Sequence, residues 1–333
     1  MLSVHSILVM GSNGGIGLKL VWQLAGESNG PECVFATCWA PEGPQAHVKV
    51  VVCKKGIALE AAGILLSSQE TGDNIKMLNA RSVLVTGSNR GIGLELVRQL
   101  VGQSKKPEWI FATCRDPKGP RAQDLKNLAD KHQSVKIIPM DTNDPSSVKA
   151  AAAQVTEKLQ GAGLNLLINN AGIVKPGCLE SETAEDMSEV YKTNVIGPMI
   201  VSQAFLPLLR KASQESPQKG MSCSKAAIVN MSSEAGSITN LLVFDLGHVL
   251  GYRCSKAALN MLTRCQSRGW AKDEILCIAL HPGIVKTDMI QVDQGQAPLT
   301  VDDSVQAMLK TLGHLSEKDS GTFLNWEGET LPW

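Results

Sequence analysis

Tyr252 and Lys256 lie four residues apart at the start of a stretch rich in Ala, Leu and Met that predicts a helix. Residues at this spacing share one helix face, so the lysine ammonium is expected one turn from the phenol. A free phenol has a pKa of about 10 and needs a nearby cation to become a useful acid or base near neutral pH. Lys256 could supply that cation to Tyr252, one of only 2 tyrosines in the chain.

A glycine-rich turn upstream has the residue types of an anion site. Residues 82–85 predict a short strand, and Gly87, Gly91 and Gly93 follow it before a helical pattern begins. Glycine lets the backbone turn and approach a ligand, and a helix start offers unpaired N–H groups at a positive dipole end. This arrangement suits a pyrophosphate. A glycine triplet alone is equally consistent with an ordinary turn.

The second predicted strand ends at Arg115, where a sheet that binds NAD usually offers a carboxylate to the ribose 2′-hydroxyl. Arg115, together with Arg90 in the glycine turn, could hold a 2′-phosphate by charge-assisted hydrogen bonds, which favours NADP. Two solvated arginines are the alternative interpretation. The next residue, Asp116, is a carboxylate, so NAD remains an alternative cofactor.

Strand and helix patterns alternate along residues 80–333, which is typical of a parallel sheet with right-handed crossovers. The predicted strands are residues 82–85, 109–113, 135–139, 164–169, 226–231 and 275–280. The predicted helices are residues 91–102, 146–160, 187–211, 252–268 and 301–312. Ligands bind at the carboxyl ends of such strands, where polar residues follow at 169–172, 230–236 and 281–287. Taken singly, each of these polar stretches is more often a turn.

As an ordered set, these stretches resemble the short-chain dehydrogenase/reductase family. The matching elements are Thr-Gly-x-x-x-Gly-Ile-Gly at 86–93, Asp141, Asn-Asn-Ala-Gly at 169–172, Asn194, Ser-Ser at 232–233, Tyr-x-x-x-Lys at 252–256 and Pro-Gly-x-x-x-Thr at 282–287. The resemblance covers residues 80–333 and is strongest to carbonyl reductases of the C-factor/sniffer type. It implies a Rossmann-type fold of the α/β class, a doubly wound parallel sheet of about seven strands with helices on both faces.

The resemblance implies an NADPH-dependent carbonyl reductase that transfers a hydride to a ketone, aldehyde or quinone. Tyr252 would be the general acid, Lys256 would hold the nicotinamide ribose, and Ser233 would orient the substrate carbonyl. Asn194 would anchor a water in the proton relay, and a core-facing asparagine is the alternative. No metal is implied. The implied cofactor-binding residues are Thr86, Gly87, Asn89, Arg90, Gly91, Ile92, Gly93, Arg115, Asp141, Asn170, Ala171, Gly172, Tyr252, Lys256, Pro282, Gly283, Val285 and Thr287.

Two segments beside these residues bear on the substrate. The spacing of about twenty residues between Ser233 and Tyr252 leaves room for an inserted loop with the apolar run 241–244. We interpret this run as part of a substrate wall, although a surface loop packing on itself would have the same composition. Residues 288–299, where a substrate lid often lies, are short and polar.

Two other functions remain open. One is a non-catalytic NAD(P)-binding protein that uses the fold for regulation or interaction, which the intact Ser, Tyr, Lys and Asn set disfavours. The other is an NAD-dependent alcohol dehydrogenase, which Arg90 and Arg115 disfavour.

Composition narrows the partners and the compartment. The formal net charge is +0, so there is no basic footprint for nucleic acid. The 9 cysteines form no C-x-x-C pair or metal-ligand cluster, which indicates a reducing, cytoplasmic setting. We expect no signal peptide and no membrane span, because the apolar runs are too short. The family resemblance suggests a homodimer or homotetramer.

Residues 7–46 nearly repeat residues 83–122, with roughly two-thirds of the aligned positions identical. We predict that residues 1–79 are a partial, degenerate duplicate of the first nucleotide-binding βαβ unit plus a linker. Within it, residues 48–52 suggest a strand, and a helical stretch and the linker 67–74 follow. The cationic and polar residues are lost, since Met10, Gly14 and Trp39 replace Thr86, Arg90 and Arg115. Residues 80–333 then form the complete domain with the cofactor and substrate sites.

Overall fold

The computed structural model describes residues 78–241, 248–287 and 299–333, together with four strands within the first 58 residues. The chain divides into two compact units, 1–73 and 74–333. The predicted helical stretch and linker before residue 78 lie outside the described residues.

The first unit contains a four-stranded sheet in the order β1-β2-β3-β4. The strands are β1 (Ser6–Met10), β2 (Cys33–Trp39), β3 (His47–Cys53) and β4 (Gly56–Ala58). Strands β1 and β2 are parallel, whereas β2 with β3 and β3 with β4 are antiparallel. The strand predicted at residues 48–52 therefore lies within β3, and its antiparallel pairing differs from the parallel pairing of the complete domain.

The second unit is built on a seven-stranded, wholly parallel sheet in the order β11-β10-β9-β8-β5-β6-β7. Its strands are β5 (Ser82–Thr86), β6 (Trp109–Cys114), β7 (Val135–Pro139), β8 (Leu166–Asn169), β9 (Ala227–Met231), β10 (Leu276–His281) and β11 (Phe323–Asn325). The chain runs outward from β5 to β7 and then returns to β8, so the strand order reverses between β5 and β8. The predicted doubly wound Rossmann-type sheet is confirmed, and the short strand β11 joins the six predicted strands.

Helices cover both faces of this sheet. They are α1 (Gly91–Gly102), α2 (Gln123–Lys131), α3 (Pro145–Leu159), α4 (Ala184–Tyr191), α5 (Gly197–Glu215), α6 (Leu250–Gly269) and α7 (Val301–His314). The single helix expected at 187–211 is wrong, because a π-helical turn at Lys192–Ile196 divides it into α4 and α5. Helix α2 was not predicted, although Leu125 and Leu128, three residues apart, form its inward face.

Residues with capping side chains begin several of these helices. Asp144 accepts a hydrogen bond from the Ser146 amide at the start of α3, and Thr183 and Thr300 do the same for α4 and α7. Such caps satisfy amides that have no partner within the helix. Helix α1 begins differently, because its N-cap residue Arg90 forms no side-chain capping bond.

Alternating side chains of each strand enter two separate apolar cores. Val83 and Val85 of β5 pack in the core that contains Leu96 of α1, whereas Leu84 packs in the core that contains Phe205 of α5. A parallel sheet covered on both faces buries both sets, which explains strands that are apolar without strict alternation. Among the described residues, no helix has the length and hydropathy needed to cross a lipid bilayer.

Candidate active site

A cleft of about 660 Å³ lies at the carboxyl ends of the central strands, where the strand order reverses. Most of the predicted cofactor-binding residues line it. They are Gly87, Asn89, Arg90, Gly91, Ile92, Gly93, Arg115, Asp141, Asn170, Ala171, Gly172, Tyr252, Lys256, Pro282 and Thr287. The fold therefore brings together residues that are separated by up to 200 positions in the chain.

The glycine turn has the geometry that its sequence predicts. Gly87 and Gly91 adopt φ values of +67° and +53°, which side chains other than glycine rarely adopt. A Cβ at Gly93 would lie 2.2 Å from the Gly87 carbonyl oxygen, so only glycine allows α1 to lie this close to the turn. The turn thus leaves a concave backbone surface in front of α1 that a ligand can approach, and its three glycines cannot be replaced without strain or a clash. We call this surface the cradle.

Thr86 lies beneath the cleft rather than in its wall. Its buried hydroxyl oxygen accepts hydrogen bonds from the Asn170 amide at 3.0 Å and the Ala171 amide at 2.9 Å. The Asn170 side chain returns a hydrogen bond to the Thr86 carbonyl oxygen at 2.9 Å. These bonds join the turn after β5 to the turn after β8. Thr86 therefore supports the two turns that line the cleft, and its role in cofactor binding stays a prediction.

Val285 and Gly283 also lie behind the cleft wall. Val285 is buried, and a Cβ at Gly283 would lie 2.4 Å from Leu299 Cδ1 and 3.0 Å from the Trp326 ring. Gly283 has a φ of +85°, so the turn after β10 requires a glycine for both its conformation and its packing. This turn places Pro282 and Thr287 at the cleft.

Tyr252 lies in the first turn of α6 and is hydrogen-bonded with Ser233, which follows β9. Burial raises the pKa of the Tyr252 phenol, and the hydrogen bond with Ser233 lowers it in part. The net direction is opposite to the lowering expected from a lysine one turn away. Loss of water around the phenol has the larger effect here. Near neutral pH the phenol is protonated, as a free phenol also is, and its hydroxyl can donate a hydrogen bond.

Lys256 is almost fully buried one turn further along α6. Its Nζ donates a hydrogen bond to the Met231 carbonyl oxygen at 2.7 Å and lies 5.4 Å from the centre of the Tyr252 ring. Burial lowers the pKa of Lys256 to about 8, because the ammonium has lost most of its hydration.

Asn194 lies in the π-helical turn between α4 and α5 and is buried. Its side chain clamps the backbone of Ile173, accepting from the amide and donating to the carbonyl oxygen, each at 2.9 Å. It also donates to Ser255 Oγ at 3.0 Å. The side-chain amide therefore ties α6 to the loop after β8, as a core-facing asparagine would. π-helical turns of this kind often occur at functional sites.

Comparison with known proteins places the chain in a family. The short chain dehydrogenase family matches residues 81–297, which include the glycine turn, Ser233, Tyr252 and Lys256. This chain belongs to the short-chain dehydrogenase family. It is 32% identical over 264 residues to an uncharacterized oxidoreductase of Schizosaccharomyces pombe, and the match covers 75% of this chain and 96% of that protein.

Solved structures of carbonyl reductases share the fold of this short-chain dehydrogenase. An NADPH-bound carbonyl reductase from chicken fatty liver is 61% identical, with a TM-score of 0.76, covering 77% of this chain and 95% of that one. The carbonyl reductase Sniffer of D. melanogaster is 36% identical, with a TM-score of 0.72, covering 76% and 100%.

A buried polar network beneath the cleft of this short-chain dehydrogenase was missed by sequence analysis. Asn169 Nδ2 donates to Asn230 Oδ1 at 2.9 Å, and Asn230 Nδ2 donates to Thr263 Oγ1 at 2.9 Å and Gln266 Oε1 at 2.8 Å. Ser232 adds a bond of 2.6 Å to Asn260. The network holds α6, and with it Tyr252, against β8 and β9.

The cleft is also lined by residues outside the predicted set. Two of them, Arg121 and Asn143, could have been found from their positions close to predicted site residues. Arg121 is a cation in the same loop as Arg115, and Asn143 follows Asp141 by two residues. Asp141 itself bonds to this segment, since its Oδ1 accepts a hydrogen bond from the Asn143 amide at 2.9 Å.

Among the described residues, no group of His, Cys, Asp and Glu side chains is arranged to hold a metal ion.

The two segments assigned to the substrate lie largely outside the described residues, namely 242–247 and 288–298. Leu241, at the edge of the first segment, is exposed. The loop just before it is held by the chain terminus, because Ser237 Oγ donates to the Pro332 carbonyl oxygen and the Thr239 amide donates to Trp333, each at 2.8 Å. This contact fixes the loop that follows Ser233.

Proposed function

We propose that this short-chain dehydrogenase is an NADPH-dependent carbonyl reductase that transfers a hydride to a ketone, aldehyde or quinone, with Tyr252 as general acid. The observation that carries the proposal is the hydrogen-bonded pair of Tyr252 and Ser233, beside Lys256, at the edge of a dinucleotide-sized cleft. Similarity to carbonyl reductases supports it, including the 61% identical chicken enzyme described as NADPH-bound.

The cleft fits a dinucleotide on its own geometry. The turn at Gly87 and Gly91 leaves an open cradle before α1, and a side chain at either position would be strained. The first amides of α1 face this cradle without a side-chain cap, so they are suited to a pyrophosphate. The bound cofactor supplies the hydride chemistry, whereas the chain supplies binding, orientation and the proton.

Each catalytic side chain has one task in this proposal. Tyr252, which carries its proton near neutral pH as any phenol does, donates that proton to the oxygen of the reduced carbonyl. Ser233 donates a hydrogen bond that orients the same carbonyl. Lys256 stays beside the phenol as a buried cation and can bind ribose hydroxyls. Asn194 would anchor a water in the proton relay, and its side chain also holds the loop at Ile173 in place.

The preference for NADP over NAD rests on Arg90 and Arg115, which line the same cleft. A guanidinium can bind a 2′-phosphate by two parallel hydrogen bonds. Asp116, the residue that favoured NAD by type, instead accepts hydrogen bonds from the amides of Lys118 and Gly119. We therefore propose that the Asp116 carboxylate, although it lines the cleft, is held by its own loop and does not replace the arginines at the ribose.

The test is oxidation of NADPH and of NADH by the purified protein with a panel of ketones, aromatic aldehydes and quinones. Turnover with NADPH and at least one class of carbonyl compound supports the proposal. Binding of NADPH without turnover of any carbonyl would favour a regulatory role. Preferential oxidation of alcohols with NAD would favour the dehydrogenase alternative.

We further propose a cytoplasmic homodimer or homotetramer. The six cysteines in the described residues are free thiols, as expected in a reducing compartment. Ile196, Met199 and Met261 are exposed apolar side chains on the segment before α5, on α5 and on α6, which suits self-association. Sedimentation of the protein, and of Met261→Glu as a variant that should weaken such a contact, tests the assembly. Cell fractionation tests the location.

A further inference from the structure

The loop after β6 contains two arginines and one aspartate at the same end of the cleft as Arg90. Arg115, Asp116 and Arg121 all line the cleft there. In sheets that bind NAD, a carboxylate near this position accepts the ribose hydroxyls. By residue type alone, Asp116 therefore favours binding of NAD. Its hydrogen bonds, however, are made within its own loop.

The Asp116 carboxylate folds back onto its own loop. Its Oδ1 accepts hydrogen bonds from the Lys118 amide at 3.0 Å and the Gly119 amide at 2.9 Å. The Gly119 carbonyl oxygen then accepts from the Ala122 amide at 3.1 Å, in the 3-10 turn that contains Arg121. The Gly119 amide also donates to the Asp116 backbone carbonyl oxygen at 3.4 Å, so the carboxylate reinforces a backbone turn, as aspartate often does.

Gly119 is matched to this carboxylate. A Cβ at Gly119 would lie 2.3 Å from Asp116 Oδ2 and 2.9 Å from its Cγ. The requirement is steric, because the φ of Gly119 is −69°, a value open to any residue. A side chain at Gly119 would therefore displace the Asp116 carboxylate from the two amides that donate to it.

We propose that Asp116 is a positioning residue for the 2′-phosphate of NADP(H), and that Arg121 is a third cation at this phosphate beside Arg90 and Arg115. The proposal rests on the proposed NADPH dependence. The turn closed by Asp116 sets the path of the chain from Arg115 to Arg121, so that both arginines reach the cleft. Losing the turn therefore weakens phosphate binding instead of improving NAD binding.

Two small ligands separate these effects without catalysis. The cofactor-free, full-length protein is titrated by calorimetry with adenosine 2′,5′-bisphosphate and with adenosine 5′-monophosphate, and the ratio of the two affinities reports the 2′-phosphate contact. Asp116→Ala and Asp116→Asn remove the same negative charge, but only asparagine keeps an oxygen acceptor for the turn. We expect Asp116→Asn to keep the ratio within about twofold and Asp116→Ala to lower it about tenfold.

Two further variants change the loop at Gly119 and at Arg121. Gly119→Ala keeps the Asp116 charge but forces the carboxylate away, so it should lower the ratio as Asp116→Ala does. Arg121→Gln should also lower it about tenfold. Lys118→Gln is the matched control, because it removes a cation from the same loop at an exposed position outside the cleft. Its ratio should change less than about twofold.

The remaining outcomes overturn the proposal in distinct ways. An equal rise in bisphosphate affinity for both Asp116 variants would mean that Asp116 acts only by charge repulsion. Weaker monophosphate binding in both variants would make Asp116 a ribose ligand. An unaltered ratio in Asp116→Ala and Arg121→Gln would overturn this inference while leaving NADP preference intact. A wild-type protein that does not distinguish the two ligands would overturn both the inference and the proposed NADP preference.

Discussion

Lys256 Nζ lies 5.4 Å from the centre of the Tyr252 ring. The ammonium also donates to the Met231 carbonyl oxygen at 2.7 Å, so α6 and the end of β9 hold it in place. Both groups have lost water, and both pKa values move in the direction that favours the neutral form. The phenol therefore stays protonated near neutral pH, and the lost hydration of Lys256 carries a cost in stability.

That cost has a defined pH dependence. Burial lowers the pKa of Lys256 from 10.5 to about 8, so between these values the unfolded chain binds more protons than the folded one. Stability should therefore rise with pH across this window. Each pKa unit is worth about 1.4 kcal/mol. The difference in the free energy of unfolding between the wild type and Lys256→Met should therefore shift by about 3 kcal/mol in favour of the wild type between about pH 8 and about pH 10.5. Urea denaturation of both proteins measures this. A constant difference across the window would show that the folded-state pKa is not lowered.

Replacing Arg90 and Arg115 should narrow or invert the preference for NADPH over NADH. A charge-assisted hydrogen bond to phosphate is worth roughly 1.5–3 kcal/mol, so the loss of even one should change the ratio of kcat/KM values about tenfold. Steady-state kinetics of Arg90→Gln, Arg115→Gln and the double variant give this ratio. Equal use of both cofactors by the wild type would contradict the assignment.

Asn194→Ala should destabilise the protein. The change leaves the partly buried Ile173 amide and carbonyl oxygen without their clamp. An unpaired polar group costs about 1–3 kcal/mol when fully buried and less where water reaches it. Thermal unfolding should show a Tm lower by several degrees. The control is Asn127→Ala, which removes an exposed asparagine bonded only to Gln123 in the described contacts. An unchanged Tm in Asn194→Ala would mean that the clamp contributes little to stability.

A truncated chain that begins just before Leu78 should fold, bind one NADPH and retain nearly full activity. Leu78 is buried in the core of the second unit, and the Asn79 amide donates to Ser224 Oγ at 3.1 Å, so the cut must preserve both. The glycine turn, Ser233, Tyr252 and Lys256 all lie after this point. Circular dichroism, calorimetry and turnover compare the two chains. A soluble, inactive truncation, or two NADPH molecules bound per intact chain, would assign the first 77 residues a role in cofactor binding or activity.

Local patterns predicted the sheet well because each strand is an apolar run bounded by turns, as at residues 82–86 and 227–231. The sequence signal failed where tertiary contacts decide the outcome. The π-helical turn contains Asn194, whose side chain bonds to Ile173 and Ser255, and local patterns do not reveal such contacts between distant parts of the chain. The roles of Thr86 and Asp116 depend on which backbone amides donate hydrogen bonds to their side-chain oxygens, and the residue types alone do not reveal this. The pKa of Tyr252 depends on burial, which the spacing to Lys256 does not reveal.

The most direct test of the proposed reductase is turnover by Tyr252→Phe. The substitution removes the hydroxyl that would donate the proton and keeps the ring, so NADPH affinity measured by calorimetry should stay within about twofold, while kcat for carbonyl reduction should fall by about 10³-fold or more. Ser233→Ala should lower turnover as well, since its hydroxyl is hydrogen-bonded with the phenol. The account predicts an NADPH-binding, nearly inactive Tyr252→Phe protein. Near-normal turnover in that variant, under conditions where the wild type reduces the same carbonyl compound, would contradict it.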